Sequence, residues 1–197
     1  DGVGRRYHVY QEAYGWRIPS LPARVVQDLG FGVPDAGSVM LSWPGGRQAH
    51  AHVPYYELVA DFNREKHGRP ADEFKDKIVV IGVTATGLHD IRATPIDSLH
   101  NGVDILATAI DNLKNRNYLR PVAPVWPLLL ALLLAGLLHA AFRARLNTLK
   151  IGAALAGVSA LLLAVQHVAV GNLVLLPVLR PLLFGWAFYF AAALREY

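Results

Sequence analysis

Three long apolar stretches in the second half of the chain constrain its fold more than any other feature. They cover residues 125–142, 151–170 and 173–194, and only the last contains a charged side chain, Arg180. An α-helix rises about 1.5 Å per residue, so about 20 apolar residues cross a hydrocarbon layer about 30 Å thick. The sequence therefore predicts three transmembrane helices in residues 121–197, preceded by a separate domain in residues 1–120.

The charges beside these stretches predict their orientation. Residues 143–150, between the first and second stretch, carry Arg143, Arg145 and Lys150, whereas Gly171 and Asn172 separate the second from the third. Lys and Arg are enriched in cytoplasmic loops. We therefore expect a multi-pass membrane protein with residues 143–150 and the C-terminus in the cytoplasm and residues 1–120 outside it.

Arg180 lies between Pro177 and Pro181, near the start of the third stretch. An Arg deep in lipid is unfavourable. If the helix begins near Pro177, Arg180 lies in its first turns and its side chain reaches the interface.

The remaining charges exclude one class of partner. Residues 1–120 hold 14 acidic and 14 basic side chains, so the net charge of +4 belongs to the apolar half, where five cations accompany one anion. A nucleic-acid-binding domain needs a basic surface, so the expected partner is the lipid bilayer and not nucleic acid. The chain has no cysteine, which removes disulfides and thiol chemistry. It starts at Asp1 without a signal-peptide pattern, which indicates a fragment or a processed product.

Strand and helix patterns alternate in residues 1–120, which predicts an α/β domain. The residues KIVVIGV, 77–83, are apolar on both faces, as in a central strand of a covered parallel sheet. The other predicted elements are strands in residues 5–13 and 39–43, a helix in residues 20–30 between an N-cap Ser20 and Gly30, a helix between Pro54 and Gly68, and a helix in residues 102–115 with Val103, Leu106, Ile110 and Leu113 on one face.

The loop GVTATGLHD, residues 82–90, follows the predicted strand 77–83, at a position where α/β proteins often bind ligands. The candidate ligand-binding residues are Thr84, Thr86, Asp90 and Thr94. The loop lacks both the G-x-G-x-x-G pattern and the Walker lysine, so it does not predict a nucleotide site.

A structural role is the favoured interpretation of the same loop. Gly82 and Gly87 permit a turn, and Asp90 can fix it through hydrogen bonds to backbone amides. Pro95 and Gly102 are further structural positions in the same region.

Histidines form a second candidate site. His50 and His52 would lie on one face of a strand in RQAHAHV, and His89, His100 or Asp90 could complete a metal site with them. Such a site needs three or four convergent ligands, and a solvated strand face is the simpler interpretation. No serine lies in a nucleophile-elbow sequence. We therefore predict no metal, no cofactor and no catalytic residue.

Small residues recur every four positions in the second apolar stretch. Ala153 and Gly157 form one such series, and Ala156, Ala160 and Ala164 form another. Small residues on one face let helices approach closely. Packing within the three-helix unit is the favoured interpretation, and a homodimer is the alternative.

The series KIVVIG, TATGLHD, TP and GVDILATA, followed by three apolar stretches, resembles the CHASE2 family of bacterial extracytoplasmic sensor domains. The first residues, DGVGRRYHVY, with IPSLPARVV after them, are similar to a segment from the middle of that domain. The likeness covers nearly the whole chain, and its specificity lies in the spacing of the whole series.

The resemblance implies that residues 1–120 are the C-terminal part of an α/β sensor domain at the bacterial inner membrane. Its N-terminal membrane helix and α/β half are absent from this chain, so the sheet could lack strands. The resemblance also implies three transmembrane helices and a cytoplasmic effector beyond them, such as a nucleotide cyclase or a kinase.

The function expected from the resemblance is non-enzymatic sensing of an unidentified small-molecule or periplasmic ligand. The alternatives are a membrane-anchored enzyme that uses the Gly82–Asp90 loop with the histidines, and a structural subunit of a membrane assembly. The connector before the first span, residues 115–124, contains Pro121 and Pro124 and is predicted to be stiff. We expect it to pass a displacement of the last helix of residues 1–120 to the first span.

Overall fold

The structure, a computed structural model, describes residues 3–43, 50–84 and 90–196. The chain divides into two compact units, Asp1–Tyr118 and Leu119–Tyr197.

The described part of the first unit contains small antiparallel sheets of two strands each. Strand β1 (Arg6–His8) pairs with β4 (Ser38–Met40), β2 (Tyr10–Ala13) with β3 (Trp16–Pro19), and β5 (Ile91–Arg92) with β6 (His100–Asn101). Tyr14 and Gly15 join β2 to β3, and both have φ in the left-handed region, at 52° and 80°. A two-residue turn with positive φ matches the right-handed twist of the strands it connects.

Three helices accompany these strands in the described residues: α1 (Leu21–Asp28), α2 (Tyr55–Phe62) and α3 (Gly102–Asn115). Helix α1 lies where the sequence predicts it: a proline lies in its first turn and Gly30 follows it with φ of 81°. Ser20 occupies the N-cap position, but its side chain makes no capping hydrogen bond. Helix α3 confirms the helix predicted in residues 102–115.

The core of the first unit lies between α1, α3 and the strands β1 and β4. Helix α3 contributes Ala109, Ile110 and Leu113. The remaining buried members of the cluster are Val9, Ala23, Val26, Val39 and Leu41. Full burial of an aliphatic side chain contributes about 1.5–3 kcal/mol, so this cluster ties α3 firmly to α1 and to the strands.

Residues 77–83 do not form the predicted central strand. The segment has no regular structure, and Ile78, Val79, Ile81 and Val83 are between 41% and 79% exposed. A strand needs a hydrogen-bonded neighbour, and none of the described strands pairs with this segment. The α/β prediction is therefore confirmed as a mixture of helices and small sheets, and the covered parallel sheet was wrong.

The helix predicted between Pro54 and Gly68 ends earlier than expected, at Phe62. The Asp61 carboxylate accepts the N–H groups of Gly68 at 2.7 Å and of Arg69 at 3.4 Å, which turns the chain back toward the helix. The Gly68 N–H is the main cause that lowers the pKa of Asp61. Asp61 is thus buried and bonded.

The second unit consists of α4 (Val125–Arg143), α5 (Thr148–Gly171) and α6 (Leu179–Glu196), with a short parallel pair between β7 (Arg120–Pro121) and β8 (Val174–Leu175). Within the described residues, α4 and α5 are long and apolar enough to cross a membrane. The 18 residues of α6 include Arg180, Arg195 and Glu196.

The third predicted stretch, residues 173–194, is not one continuous helix. It starts with β8, and the helix begins at Leu179, so Arg180 lies exposed in the first helical turn. Pro177 thus precedes the helix, and this position of Arg180 lets its long side chain extend toward an interface.

Two clusters hold the three helices together. One is formed by Leu134, Val178 and Leu182, and the other by Leu138, Ile151 and Leu155. A polar contact adds to them, since the indole N–H of Trp186 donates to Ser159 Oγ at 3.1 Å.

The small residues of α5 take no part in these clusters. Their positions are exposed: Ala153, Ala156, Gly157, Ala160 and Ala164. The favoured interpretation, that they pack within the three-helix unit, was wrong, because large aliphatic side chains on the opposite face of α5 make those contacts.

A histidine-lined cleft at the start of helix α3

One face of α3 is polar although it is buried. Asp104, Thr108 and Asn112 are exposed by only 9%, 4% and 0% of their surface. Their spacing of four residues places them on one side of the helix, which we call the polar face of α3. Buried polar groups need hydrogen-bond partners, and these partners come from the described residues of the segment 42–52.

Each member of the polar face binds one residue of that segment. Asn112 is bonded to the backbone of Ser42, Thr108 Oγ1 lies 3.2 Å from His50 Nε2, and Asp104 Oδ1 lies 2.9 Å from His52 Nε2. The residue numbers of the partners increase from 42 to 52 as the helix positions decrease from 112 to 104. Residues 42 and 50–52 therefore follow α3 in the antiparallel direction.

The β5–β6 hairpin brings a third histidine to the same end of α3. His100 is 4% exposed, and its Nδ1 lies 3.4 Å from Thr94 Oγ1. Thr94 Oγ1 also donates to the Asp97 carbonyl at 3.1 Å, within the turn of the hairpin. The ring of Trp43 lies 5.2 Å from the His100 ring, so the imidazole is fixed on two sides.

A cleft of about 630 Å³ opens between these elements. The described residues that line it are His50, Ala51, His52, Asp97, Leu99, His100, Asn101 and Asp104. They include two carboxylates and three imidazoles but neither Lys nor Arg. The Asn101 amide donates to Asp104 Oδ2 at 3.3 Å, which holds the Asp104 carboxylate from its other side.

The hydrogen bonds assign the tautomers of two histidines. A carboxylate only accepts, so His52 Nε2 carries the proton that it shares with Asp104. The one hydroxyl proton of Thr94 goes to the Asp97 carbonyl, so His100 Nδ1 donates to Thr94. In their neutral forms, these imidazoles present acceptors at His52 Nδ1 and His100 Nε2.

The predicted ligand residues are only partly brought together. Thr94 is buried beside His100, and the Asp90 carbonyl accepts the Gly102 N–H at 2.8 Å. Both therefore lie near the start of α3. Thr84 is exposed and forms no hydrogen bond with either of them. Thr86 lies outside the described residues.

The predicted structural positions have distinct surroundings. A Cβ atom on Gly82 would lie 2.5 Å from the Cβ of Val103, and one on Gly102 would collide with the Asp90 carboxylate. Pro95 is exposed in the hairpin turn. Gly87 lies outside the described residues.

The histidine prediction was wrong in its geometry, since His50 and His52 lie along α3 and not on a strand. In the described part of the chain, no three His, Cys, Asp or Glu side chains are arranged to hold a metal ion. His89 lies outside that part.

Sequence reasoning missed the polar face of α3. The signal for it is the recurrence of Asp104, Thr108 and Asn112 at every fourth position. The apolar pattern of the same helix concealed this signal, because it already accounted for an amphipathic helix.

Comparison with known proteins gives one match. Residues 1–141 match the family model described as CHASE2 domain, which covers the first unit and most of α4. No curated protein and no solved structure matches the chain.

Proposed function

The chain belongs to the CHASE2 family, and on that premise we propose that it is the input module of a bacterial membrane signalling protein. CHASE2 domains are extracytoplasmic sensory domains found in signalling proteins. Under this proposal, residues 1–120 bind a small-molecule or periplasmic ligand in the histidine-lined cleft. Residues 121–197 cross the inner membrane three times and lead to a cytoplasmic effector of the cyclase or kinase type.

The position of α3 carries the proposal. Its first turn supplies Asp104 to the cleft, Thr108 in its middle contacts residue 50, Asn112 near its end bonds to residue 42, and α4 begins after residues 116–124. A ligand that changes the contacts of Asp104 therefore acts on the last helix before the first membrane helix. Such a ligand shifts the equilibrium only by its difference in affinity for two states of α3.

Contacts in the second unit support the proposed topology. The Arg120 N–H donates to the Leu173 carbonyl at 2.8 Å, and the Val122 N–H donates to the Leu175 carbonyl at 3.2 Å. The residues that enter α4 and the residues that follow α5 therefore lie at the same end of the bundle. The cation-rich residues 143–150 join the opposite ends of α4 and α5, as a cytoplasmic loop would.

A third crossing by α6 fits its charges and its packing. Arg180 lies in its first turn and Arg195 in its last, and residues 181–194 between them carry no charge. This helical part measures about 21 Å, and the apolar residues 173–178 before it, which include β8, lengthen the apolar path. Buried Leu182 packs it against Leu134 of α4.

The exposed small residues of α5 are the proposed contact of a homodimer. Ala153, Gly157, Ala160 and Ala164 face away from the bundle. Because the chain has no cysteine, a single cysteine at Gly157 tests the contact by disulfide cross-linking in membranes, with Val158→Cys as the control. Equal cross-linking of both variants would contradict the contact.

A nucleotide cyclase fused after Tyr197 tests the sensory function. We expect Asp104→Asn to change the cyclase output of cells at equal amounts of inserted protein. Asp111→Asn makes the same chemical change on the same helix, outside the lining of the cleft, and should leave the output unchanged. The two alternatives are an enzyme at the Gly82–Asp90 loop and a structural subunit. Both predict equal cyclase output from the wild-type fusion and from the Asp104→Asn and Asp111→Asn fusions.

A further inference from the structure

We propose that the first unit rests on the lipid headgroups of an anionic bilayer through the end at which α3 finishes. The contact surface consists of Leu29 and Phe31, which follow α1, and of Lys114 and Arg116 at the end of α3, and we call it the basic rim. The inference goes beyond sensing and rests only on the proposed membrane insertion of the second unit. Its support comes from the side chains of the rim, from their charge and from their place in the chain.

The end of α1 fixes one half of the basic rim. The Gly30 N–H donates to the Gln27 carbonyl at 2.9 Å, and the Phe31 N–H donates to the Val26 carbonyl at 3.1 Å. With φ of 81° at Gly30, these bonds form the Schellman arrangement that ends many helices. Because Val26 is fully buried in the core that joins α1 to α3, the turn that carries Phe31 is held beside α3.

Apolar and cationic side chains meet at the rim. Leu29 and Phe31 remain 48% and 45% exposed. The Nζ of Lys114 lies 5.5 Å from the centroid of the Phe31 ring, and a Cβ atom added to Gly32 would lie 3.4 Å from a guanidinium nitrogen of Arg116. Exposed apolar groups beside long cationic side chains are typical of surfaces that lie in the interface of a membrane.

The positive charge of the rim is not neutralised by an ion pair. Within the described residues, neither Lys114 nor Arg116 pairs with a carboxylate. The carboxylate of Asp28 is paired with Arg24 at 3.0 Å, and that of Asp111 accepts a hydrogen bond from another side chain of α3. Lys and Arg bind phosphate groups through charged hydrogen bonds, so lipid phosphates complement the two cations.

Arg116 occupies a backbone position that suits glycine. Its φ is 57°, in the left-handed region, where helices commonly end with Gly or Asn because a Cβ atom is unfavourable there. The backbone therefore gives no reason for an arginine, and the contribution of Arg116 comes from its exposed side chain. Arg116→Gly consequently removes the cation while it suits the backbone.

The place of the rim in the chain identifies its partner as the bilayer. Eight residues, 117–124, separate Arg116 from α4, which is long and apolar enough to cross a membrane. Eight residues reach at most about 29 Å, so the basic rim stays near the membrane that α4 enters. Asp104 lies in the first turn of α3, at the other end of the helix, so an anionic surface attracts the basic end and repels the acidic one.

Quenching by lipids in vesicles that contain the full chain tests the inference. Because the chain has no cysteine, Leu29→Cys carries a single fluorescent label, and a spin-labelled lipid is the quencher. The vesicles consist of phosphatidylcholine with or without anionic phosphatidylglycerol. Leu99→Cys is the matched control, since Leu99 is also exposed and lines the cleft at the start of α3. We expect stronger quenching at residue 29 than at residue 99, and more of it in the anionic vesicles.

Charge variants of the labelled chain separate lipid contact from folding. Each cation near an anionic surface favours the docked state by about fivefold, so Lys114→Gln and Arg116→Gly should each lower the ratio of docked to free first unit by about this factor. The ratio is read from the quenched fraction. Lys66→Gln removes an exposed cation outside the rim and should keep the quenching. Arg116→Gly should also keep the melting temperature, so its loss of quenching cannot come from unfolding.

Three results would overturn the inference. They are equal quenching at residues 29 and 99, equal quenching in neutral and anionic vesicles, and unchanged quenching in Lys114→Gln and Arg116→Gly. Flotation of the chain with the vesicles measures membrane insertion separately. A chain that does not float contradicts the inference and the membrane insertion together, whereas a floating chain whose residue 29 stays unquenched contradicts only the lipid contact.

Discussion

Asn112 binds both backbone groups of Ser42. The Ser42 N–H donates to Asn112 Oδ1 at 2.7 Å, and Asn112 Nδ2 donates to the Ser42 carbonyl at 3.0 Å. Asn112 is fully buried, and it reproduces with its side chain the pair of bonds that a neighbouring strand would make. This contact fixes residue 42 on α3 before the chain reaches His50 and His52.

Asn112→Ala should lower the stability of the first unit substantially. The substitution leaves the N–H and the carbonyl of Ser42 without their partner, and each unsatisfied buried group costs about 1–3 kcal/mol. We expect a loss of about 2 kcal/mol or more in the free energy of unfolding, measured by denaturant titration of the full chain in detergent. Asn115→Ala is the control, because Asn115 is exposed and bonds only to Asp111 on its own helix. An equal effect of both substitutions would contradict the role of the Ser42 contact.

Gly82→Ala should destabilise the protein because of a close approach and not because of backbone freedom. The new Cβ would lie 2.5 Å from the Cβ of Val103, whose branched side chain on α3 cannot move aside. Overpacking of this kind costs about 1–3 kcal/mol. Gly37→Ala is the matched control, since its Cβ would meet nothing within 4 Å. Equal melting temperatures of the two variants would show that the backbone near Gly82 shifts to accommodate the added methyl group without loss of stability.

The neighbouring threonines should matter far less for stability. Thr84→Val with Thr86→Val should leave the melting temperature nearly unchanged, because Thr84 is exposed. Loss of a ligand response in this double variant at unchanged stability would identify the loop as a binding site.

Acid should destabilise the first unit through Asp61. Hydrogen bonds from Gly68 and Arg69, with Gly68 the larger cause, hold the pKa of Asp61 below its ordinary value of 3.8. A carboxyl group with a lowered folded-state pKa stabilises the fold fully above its ordinary pKa and loses that contribution as the pH falls through the lowered value. We expect the melting temperature to decrease as the pH is lowered below 3.8.

Asp61→Asn should have a lower melting temperature than the wild type at neutral pH and a shallower decrease in acid. Part of the decrease should remain, because Arg69 also lowers the pKa of Glu73. An identical acid profile in the variant would assign the whole effect to other carboxyl groups.

Elements with local signals were predictable from the sequence. The proline in the first turn and the Gly30 after the helix delimit α1, and the apolar spacing of residues 102–115 identifies α3, because such signals act within a few residues. Residues 77–83 carry the pattern of a strand, but a strand also needs a neighbouring strand to bond with. A single segment does not contain that information.

The candidate site was only partly predictable for the same reason. His50 and His52 were recognised as a pair, and Thr94 as a candidate, from their types and positions. The partners of the two histidines are distant in the sequence, since Thr108 and Asp104 contact them across more than 50 residues. The polar face of α3 is satisfied only when Ser42, His50 and His52 lie beside it.

The topology of the second unit should be readable with reporter fusions. The bonds from Arg120 and Val122 to Leu173 and Leu175 place those residues at one end of the bundle. We expect periplasmic reporter activity at Asn172 and cytoplasmic activity at Asn147 and Tyr197. Cytoplasmic activity at Asn172 together with periplasmic activity at Asn147 would reverse the proposed orientation.

A flexible Gly-Ser insertion between Arg120 and Pro121 should uncouple an effector from its stimulus. The connector is restrained at two places, since Pro121 and Pro124 fix their own φ angles and the Arg120 N–H is bonded to Leu173 before α6. We expect a displacement of α3 to reach α4 through this connector, and to reach the start of α6 through the β7–β8 pair.

The insertion removes that stiffness without changing any apolar helix, so membrane insertion should stay normal while output no longer follows the stimulus. The measurement is the output of a cyclase-fused chain, or of the parent protein, with and without stimulus at equal protein levels. The same Gly-Ser sequence inserted between Ala36 and Gly37, in the exposed turn before β4, is the length-matched control and should keep the response. A normal response after insertion at residue 120 would exclude this connector as the route.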